Sequence, residues 1–398
     1  MQIDIDALET YNALARDGAR SAAESLSQLT GIETRVEVTN VSLMTPADLE
    51  YEYVGREFSG VRVGLRGALT GETVLTFDEE ARDVIAGTLA PGGDDRMRRS
   101  SIEEVGNIMT SGFIDGWAEH LDAVIDLSPP TFLEGTGTDV LTPASVSVDE
   151  QVFVFRSRVE SAAEAIDFHI LLVPDRDSLV EALGSAGENS VPFEKFEVFN
   201  EMTKRGAERA AENITTMAGF ETDVEVNRMN FVPIDEVPAT IGDKRYVGTV
   251  MEYTGKPSGY LVILFDQPSA EAVVDAMVPM ETDGGWSEME RSAIKELGNI
   301  MTSGFIDGWA NVLESSIDHS PPTFVSDMGS SILSPIVGRM ARTQEHAFLL
   351  DSMIHTDDEG AFRCEMLALP DEAELREVLR NLLVERADET RVDPSEVF

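Results

Sequence analysis

The chain has 398 residues, enough for two domains at about 150 residues each. It carries 74 Asp plus Glu against 30 Lys plus Arg, a formal net charge of -44, with the acid spread along its whole length. Nucleic-acid partners need clustered Lys and Arg and a membrane-spanning helix needs about 18 apolar residues in a row; the sequence offers neither.

Self-repulsion at this charge density loosens a compact state at low ionic strength. Molar salt shortens the Debye length to about 3 Å and removes most of that penalty. The composition reads as adaptation to a salt-rich cytoplasm, as in halophilic archaea, although an acidic face meant for a basic partner gives the same numbers. The acidic N-terminus has no basic region followed by an apolar stretch, so no signal peptide is expected and the cytoplasm is the expected compartment.

In chain order, an Ala-rich helix over about 5–29 runs to a glycine stop at Gly31. "TRVEVTNVSLM" from Thr34 and "GVRVGLRGALTGETVLTF" from Gly60 alternate with period two around Gly and Thr turns, which predicts antiparallel strands. A short helix, "DEEARDVIAGTLA" from Asp78, precedes a longer one. After "SPPTF" at Ser128 come the strand-like runs "QVFVFRSRV" and "AIDFHILLVP" and a closing helix near 177–183. "GSAGENSVP", 184–192, is the predicted linker, because small and polar residues cluster there. A helix over 193–218 with a stop at Gly219 then restarts the same order.

The restart is a duplication. "GARSAAESLSQLTGIETRVEVTN" from Gly18 matches "GAERAAENITTMAGFETDVEVN" 188 residues later, and "SPPTF" recurs at Ser320 after 192 residues. The expected architecture is α+β: two tandem domains, 1–190 and 191–398, each with long helices on an antiparallel sheet. Cys364, the single cysteine, lies in the strand-like "FRCEMLALP", so it is expected to be a buried structural thiol.

One segment has drifted least. "RSSIEEVGNIMTSGFIDGWA" from Arg99 and "RSAIKELGNIMTSGFIDGWA" from Arg291 agree at seventeen of twenty positions. Ile102, Val105, Ile108, Met109, Phe113, Ile114 and Trp117 recur at spacings of three and four and predict a buried helical stripe, with Trp117 and Trp309 as core anchors. Ser100, Glu104, Asn107, Ser111 and Asp115 form a polar stripe on another face, repeated as Ser292, Glu296, Asn299, Ser303 and Asp307. Residues three apart project from one side, so each Glu and Asn point the same way. Ser100 or Ser101 is the expected cap, with Glu103 or Glu104 completing a capping box. Gly106 and Gly112, each about 1 kcal/mol worse than Ala inside a helix, imply close approach by a neighbour.

Spacing alone leaves two readings of the polar stripe open, inheritance from the duplication and function. A di-metal site would want Glu-x-x-His, and His120, His169, His319, His346 and His355 have no ligand spacing. No phosphate-cradling Gly loop and no nucleophile elbow occur.

The pattern SxxxExxNxxxxG at Ser100–Gly112 and Ser292–Gly304 resembles the signature of the CheC/CheX/FliY family, phosphatases of the chemotaxis response regulator CheY. "SPPTF", the sheet segments and the length of each half are similar to a CheC domain. The resemblance implies catalytic roles for Glu104 with Asn107 and for Glu296 with Asn299, acting on an aspartyl phosphate. It also implies phosphorylated CheY as partner, the receptor deamidase CheD as a further candidate partner, and no cofactor beyond Mg on the receiver. The family carries the signature again on its first helix. Here Ala13 and Arg16 replace Glu and Asn in the first half, and Glu201 is followed by Lys204 in the second, so two of four sites are expected to work. A non-catalytic adaptor binding phosphorylated CheY, CheD or a motor component is the alternative.

Overall fold

The structure is a computed structural model describing residues 2–51, 57–136, 151–161, 167–182, 190–219, 221–241, 244–278, 286–313, 316–356 and 362–384. In the first half these form β1 (Gln2–Asp4), α1 (Ile5–Thr30), β2 (Arg35–Met44), α2 (Pro46–Tyr51), β3 (Glu57–Gly67), β4 (Gly71–Asp78), α3 (Glu79–Leu89) and α4 (Asp95–His120). Then come β5 (Ile125–Leu127), β6 (Thr131–Thr136), β7 (Val152–Glu160), β8 (Asp167–Pro174), α5 (Arg176–Ala182) and β9 (Ser190–Pro192). The second half runs α6 (Phe193–Ala218), β10 (Thr222–Pro233), a 3-10 helix (Ile234–Ile241), β11 (Arg245–Thr254), β12 (Gly259–Asp266), α7 (Gln267–Met277) and α8 (Glu288–Leu313). It closes with β13 (Asp318–His319), β14 (Thr323–Met328), α9 (Gly329–Met340), β15 (His346–Thr356), β16 (Arg363–Pro370) and α10 (Glu372–Asn381). These elements gather into two units, Gln2–Ser190 and Val191–Phe398. Residues 184–189 of the predicted linker lie outside the described residues.

Each unit carries the same antiparallel sheet. In the first, β2 pairs β7, β7 pairs β8, β8 pairs β4 and β4 pairs β3, whose far edge takes β5 and β6 in succession. In the second, β10, β15, β16, β12 and β11 follow in that order, and β11 takes β13 and β14 on its far edge. Alternation in the sequence is what specifies this register, since a one-residue slip would turn every apolar side chain to the wrong face.

The first helix of each unit stops as its glycine predicts. Gly31 and Gly219 adopt φ of 75° and 77° and donate to Ser27 O and Thr215 O. Cys364 is buried on β16, and burial pushes its thiol well above the usual range, so it is an inert core atom.

The long helices α1 and α4 pack together, as do α6 and α8, and glycine sets how closely. A Cβ on Gly18 would lie 2.6 Å from Phe113 O, and one on Gly206 would lie 2.8 Å from Phe305 O. Below that crossing, Trp117 is fully buried between Tyr11 and Phe155, with ring centroids 5.1 and 5.0 Å away. Trp309 repeats this against Phe199, Phe305 and Tyr253. Both tryptophans anchor the core, as the apolar stripe predicts.

Candidate functional site

Helix α4 starts earlier than its serines suggest. Asp94 accepts from Met97 N at 2.9 Å and caps the helix. Ser100 and Ser101 therefore sit in the second turn, where Ser101 Oγ donates to Met97 O. Helix α8 begins after a reciprocal pair in which Ser287 N donates to Glu290 and Glu290 N donates to Ser287 Oγ. Ser292 is likewise interior. The expected caps are wrong because each helix starts more than a turn upstream, where Asp94 and the Ser287/Glu290 pair take the free N–H groups.

The buried stripe forms as predicted except at one position. Ile102, Val105, Met109, Phe113, Ile114 and Trp117 are buried, while Ile108 is half-buried. Gly106 is where α4 meets the sheet: a Cβ there would lie 2.4 Å from Val61 Cγ2, and its counterpart on Gly298 would lie 2.4 Å from Thr249 Oγ1. Gly112 has nothing nearer than 3.6 Å, whereas a Cβ on its counterpart Gly304 would lie 2.7 Å from Asn213 Nδ2, so close approach explains the second glycine of the motif in the second copy only.

The opposite face holds the candidate residues. Glu104 and Glu296 are exposed, and Asn107 and Asn299, one turn on, are half-buried. A carboxylate able to reach outward thus stands beside a carboxamide whose stem is fixed by packing. One hydrogen bond stiffens each asparagine's turn. Ser111 Oγ donates to Asn107 O at 2.9 Å, and Ser303 Oγ donates to Asn299 O at 3.0 Å. The carboxamide heads stay available as donor and acceptor.

Beside each helix runs the repeated SPPTF segment, and the structure explains its residues. Ser128 N donates to Gly64 O at 2.9 Å, and its Oγ accepts from Gly64 N at 2.8 Å. Ser320 makes the same pair of bonds with Glu252, at 2.8 and 3.0 Å. The following prolines have no N–H to give a ladder, which separates β5 from β6 and β13 from β14. The phenylalanine lies under an arginine of the helix: Arg99 Cζ is 4.4 Å from the Phe132 centroid, and Arg291 Cζ is 5.3 Å from that of Phe324.

In the second unit the helix and this segment bound an open concavity of about 490 Å³, lined by Lys295, Glu296, Asn299, His319, Pro321 and Pro322 among others. His319 joins its two sides. Its Nε2 lies 3.2 Å from Ser303 Oγ and its Nδ1 3.2 Å from Ser320 O. Sequence reasoning passed over His319 because it looked for metal-ligand spacing. The usable signal was the position before SPPTF, where the first copy has Leu127.

The first helices present different chemistry. Ala13 is exposed and Arg16 half-buried on α1; Glu201 is half-exposed on α6, 3.6 Å from Arg205, and Lys204 is exposed. None of the four is a carboxylate with an amide one turn on. Among the described residues no group of three or more His, Cys, Asp or Glu is placed to hold a metal ion, and no helix is long and apolar enough to cross a membrane.

The sequence profile of the CheC-like family matches residues 97–134 and 289–326, which are the repeated helix and its SPPTF segment in each unit. A putative CheY-P phosphatase, CheC1, of Halobacterium salinarum is 36% identical over 183 residues, covering 46% of this chain and 92% of its own. The CheY-P phosphatase CheC of Bacillus subtilis is 22% identical over 190 residues, 46% of this chain and 91% of its own. Among solved structures, Thermotoga maritima FliY aligns with 20% identity and a TM-score of 0.38, covering 45% of this chain and 94% of its own.

Proposed function

The chain belongs to the CheC-like family, and from that premise we propose that it accelerates hydrolysis of the aspartyl phosphate on a CheY receiver. The observation that carries this reading is the Glu/Asn face. In both copies an exposed carboxylate and a half-buried carboxamide share one side of a helix whose apolar face is sealed into a core. A solvated face would be free to drift, yet these heads are retained together with the serine that stiffens the turn.

An acyl phosphate has a good leaving group, and its hydrolysis passes through a loose transition state, so catalysis is mostly positioning. Asn107 or Asn299 holds a water in line with phosphorus, accepting from it and donating elsewhere through one amide. Fixing that water removes part of the entropic barrier. Aspartate would serve poorly, since it offers no donor and sets a negative charge beside the phosphoryl group. Glu104 or Glu296 docks on a lysine of the receiver. Mg bound on the receiver would supply charge stabilisation. The strongly acidic composition and the Halobacterium relative together support work in a salt-rich cytoplasm.

Asn107→Ala combined with Asn299→Ala is expected to abolish the accelerated loss of phosphate from a halophile CheY receiver phosphorylated with acetyl phosphate, in molar KCl. Circular dichroism should be unchanged. A double variant that still works at the parental rate overturns the assignment. A parental protein that binds the phosphorylated receiver without hastening phosphate loss favours the adaptor instead.

A further inference from the structure

We propose that His319 is a positioning residue of the second site and makes the two sites of this chain unequal; the inference rests on the phosphatase reading above. The ring spans the concavity's two sides. One nitrogen reaches Ser303 Oγ on α8, and the other reaches the Ser320 carbonyl at the start of the proline wall. Ser320 O only accepts, so Nδ1 carries a proton; towards Ser303 a neutral ring accepts at Nε2, the serine turning its proton from Asn299 O, and an imidazolium donates at both nitrogens. In either state the ring joins the wall to Ser303, one turn after Asn299 on α8.

Pro321 and Pro322 donate no hydrogen bond, while Ser320, β13 and β14 tie the segment to β11 and Phe324 packs under Arg291 of the helix. His319 adds a hydrogen-bonded tie to the helix directly before Ser320 and the prolines. It fixes the separation between Pro321–Pro322 and the Asn299 turn, the surfaces that a docking receiver must touch together. In the first unit Leu127 occupies the matching place before Ser128 and has no nitrogen to offer Ser111. Ser111 there keeps its bond to Asn107 O and gains no link to the wall. Lys295 sharpens the contrast, lining the second concavity where the first helix carries Glu103, which pairs with Arg99 at 3.5 Å.

A loosened wall leaves the water-holding amide in place, so its loss should appear as weaker docking. One hydrogen bond of this kind corresponds to about a 3- to 10-fold change in kcat/KM.

The test uses full-length proteins with one site silenced. In the Asn107→Ala protein, where only the second site works, His319→Leu is expected to raise KM for acetyl-phosphate-charged CheY about 3- to 10-fold with kcat nearly unchanged. His319→Gln, whose amide can donate to or accept from Ser303, is expected to restore most of the loss. In the Asn299→Ala protein, Leu127→His is expected to lower KM. The inference alone is overturned if the Asn107→Ala protein is active and His319→Leu leaves KM within twofold, or if His319→Gln is as impaired as His319→Leu. An Asn107→Ala protein with no activity overturns the second-site phosphatase reading and this inference with it.

Discussion

The two units repeat one sheet and one pair of crossed helices, yet around the shared Glu/Asn face they differ in kind. In the second, Lys295 and His319 border the concavity, and a Ser287/Glu290 box starts the helix. In the first, Glu103 and Leu127 hold the matching positions, and Asp94 caps the helix above Arg96, Arg98 and Arg99. The sheets diverge too. Arg228 and Asp351 form a buried ion pair at 2.7 Å on β10 and β15, beside Glu365 and Tyr246. The first sheet has Asn40, Arg156, His169 and Phe58 at the corresponding register positions. What survives duplication is the helix crossing, its tryptophan anchor and the Glu/Asn pair; the charge around them varies.

Silencing one amide at a time gives the largest separation. Asn299→Ala is expected to remove more of the total rate than Asn107→Ala, at least tenfold at the affected site, as read by receiver phosphate loss at subsaturating receiver. Equal losses would show that the different surroundings are immaterial.

Glu365 separates the sheets by stability. Burial and the nearby Asp351 charge raise its pKa to about 7. The unfolded chain releases this proton near the ordinary carboxylate value, while the folded chain holds it. The group therefore costs stability progressively as pH rises from about 4.5 to about 7, and the cost is level above that. Glu365→Gln is expected to stabilise the second unit by about 3 kcal/mol at pH 8 and by almost nothing at pH 4, measured by denaturant unfolding in molar salt. A gain independent of pH would contradict the shift.

The helix crossings are predicted to respond alike. Gly18→Ala and Gly206→Ala each push a Cβ against a backbone carbonyl that cannot rotate away. Overpacking of about 1–3 kcal/mol, less about 1 kcal/mol of gained helix propensity, leaves a net loss of about 1 kcal/mol. Gly87→Ala on α3, with nothing within 4 Å, is expected to stabilise instead. Thermal unfolding of the three variants checks the order.

The smallest effect belongs to Lys295→Glu, which copies Glu103 into the second site. About a twofold loss in kcat/KM is expected at 0.1 M salt, disappearing in molar salt as the Debye length falls to about 3 Å. A loss that persists at high salt would mean direct contact rather than steering.

Local patterning made much of this legible. Period-two runs gave the strands, Gly31 and Gly219 gave the helix stops, and the spacing of Ile102 to Trp117 gave the buried stripe and hence the outward direction of Glu104 and Asn107. Caps were less legible, because Ser100 and Asp94 are both good acceptors and only the start of the helix decides between them. Gly106 was marked by its propensity cost, but its neighbour Val61 comes from a strand some forty residues earlier.

By itself the sequence determined the duplication, the α+β class, the core face of the repeated helix and the shared side of each Glu and Asn, because these depend on periodicity and on residues close in the chain. Only the tertiary structure decided that SPPTF is bolted to the next-to-edge strand through its serine, and that His319 bridges Ser303 and Ser320. It alone also showed that Glu365 is buried beside Asp351. Those contacts join segments brought together by sheet pairing, and no local pattern encodes which distant groups a folded sheet will set side by side.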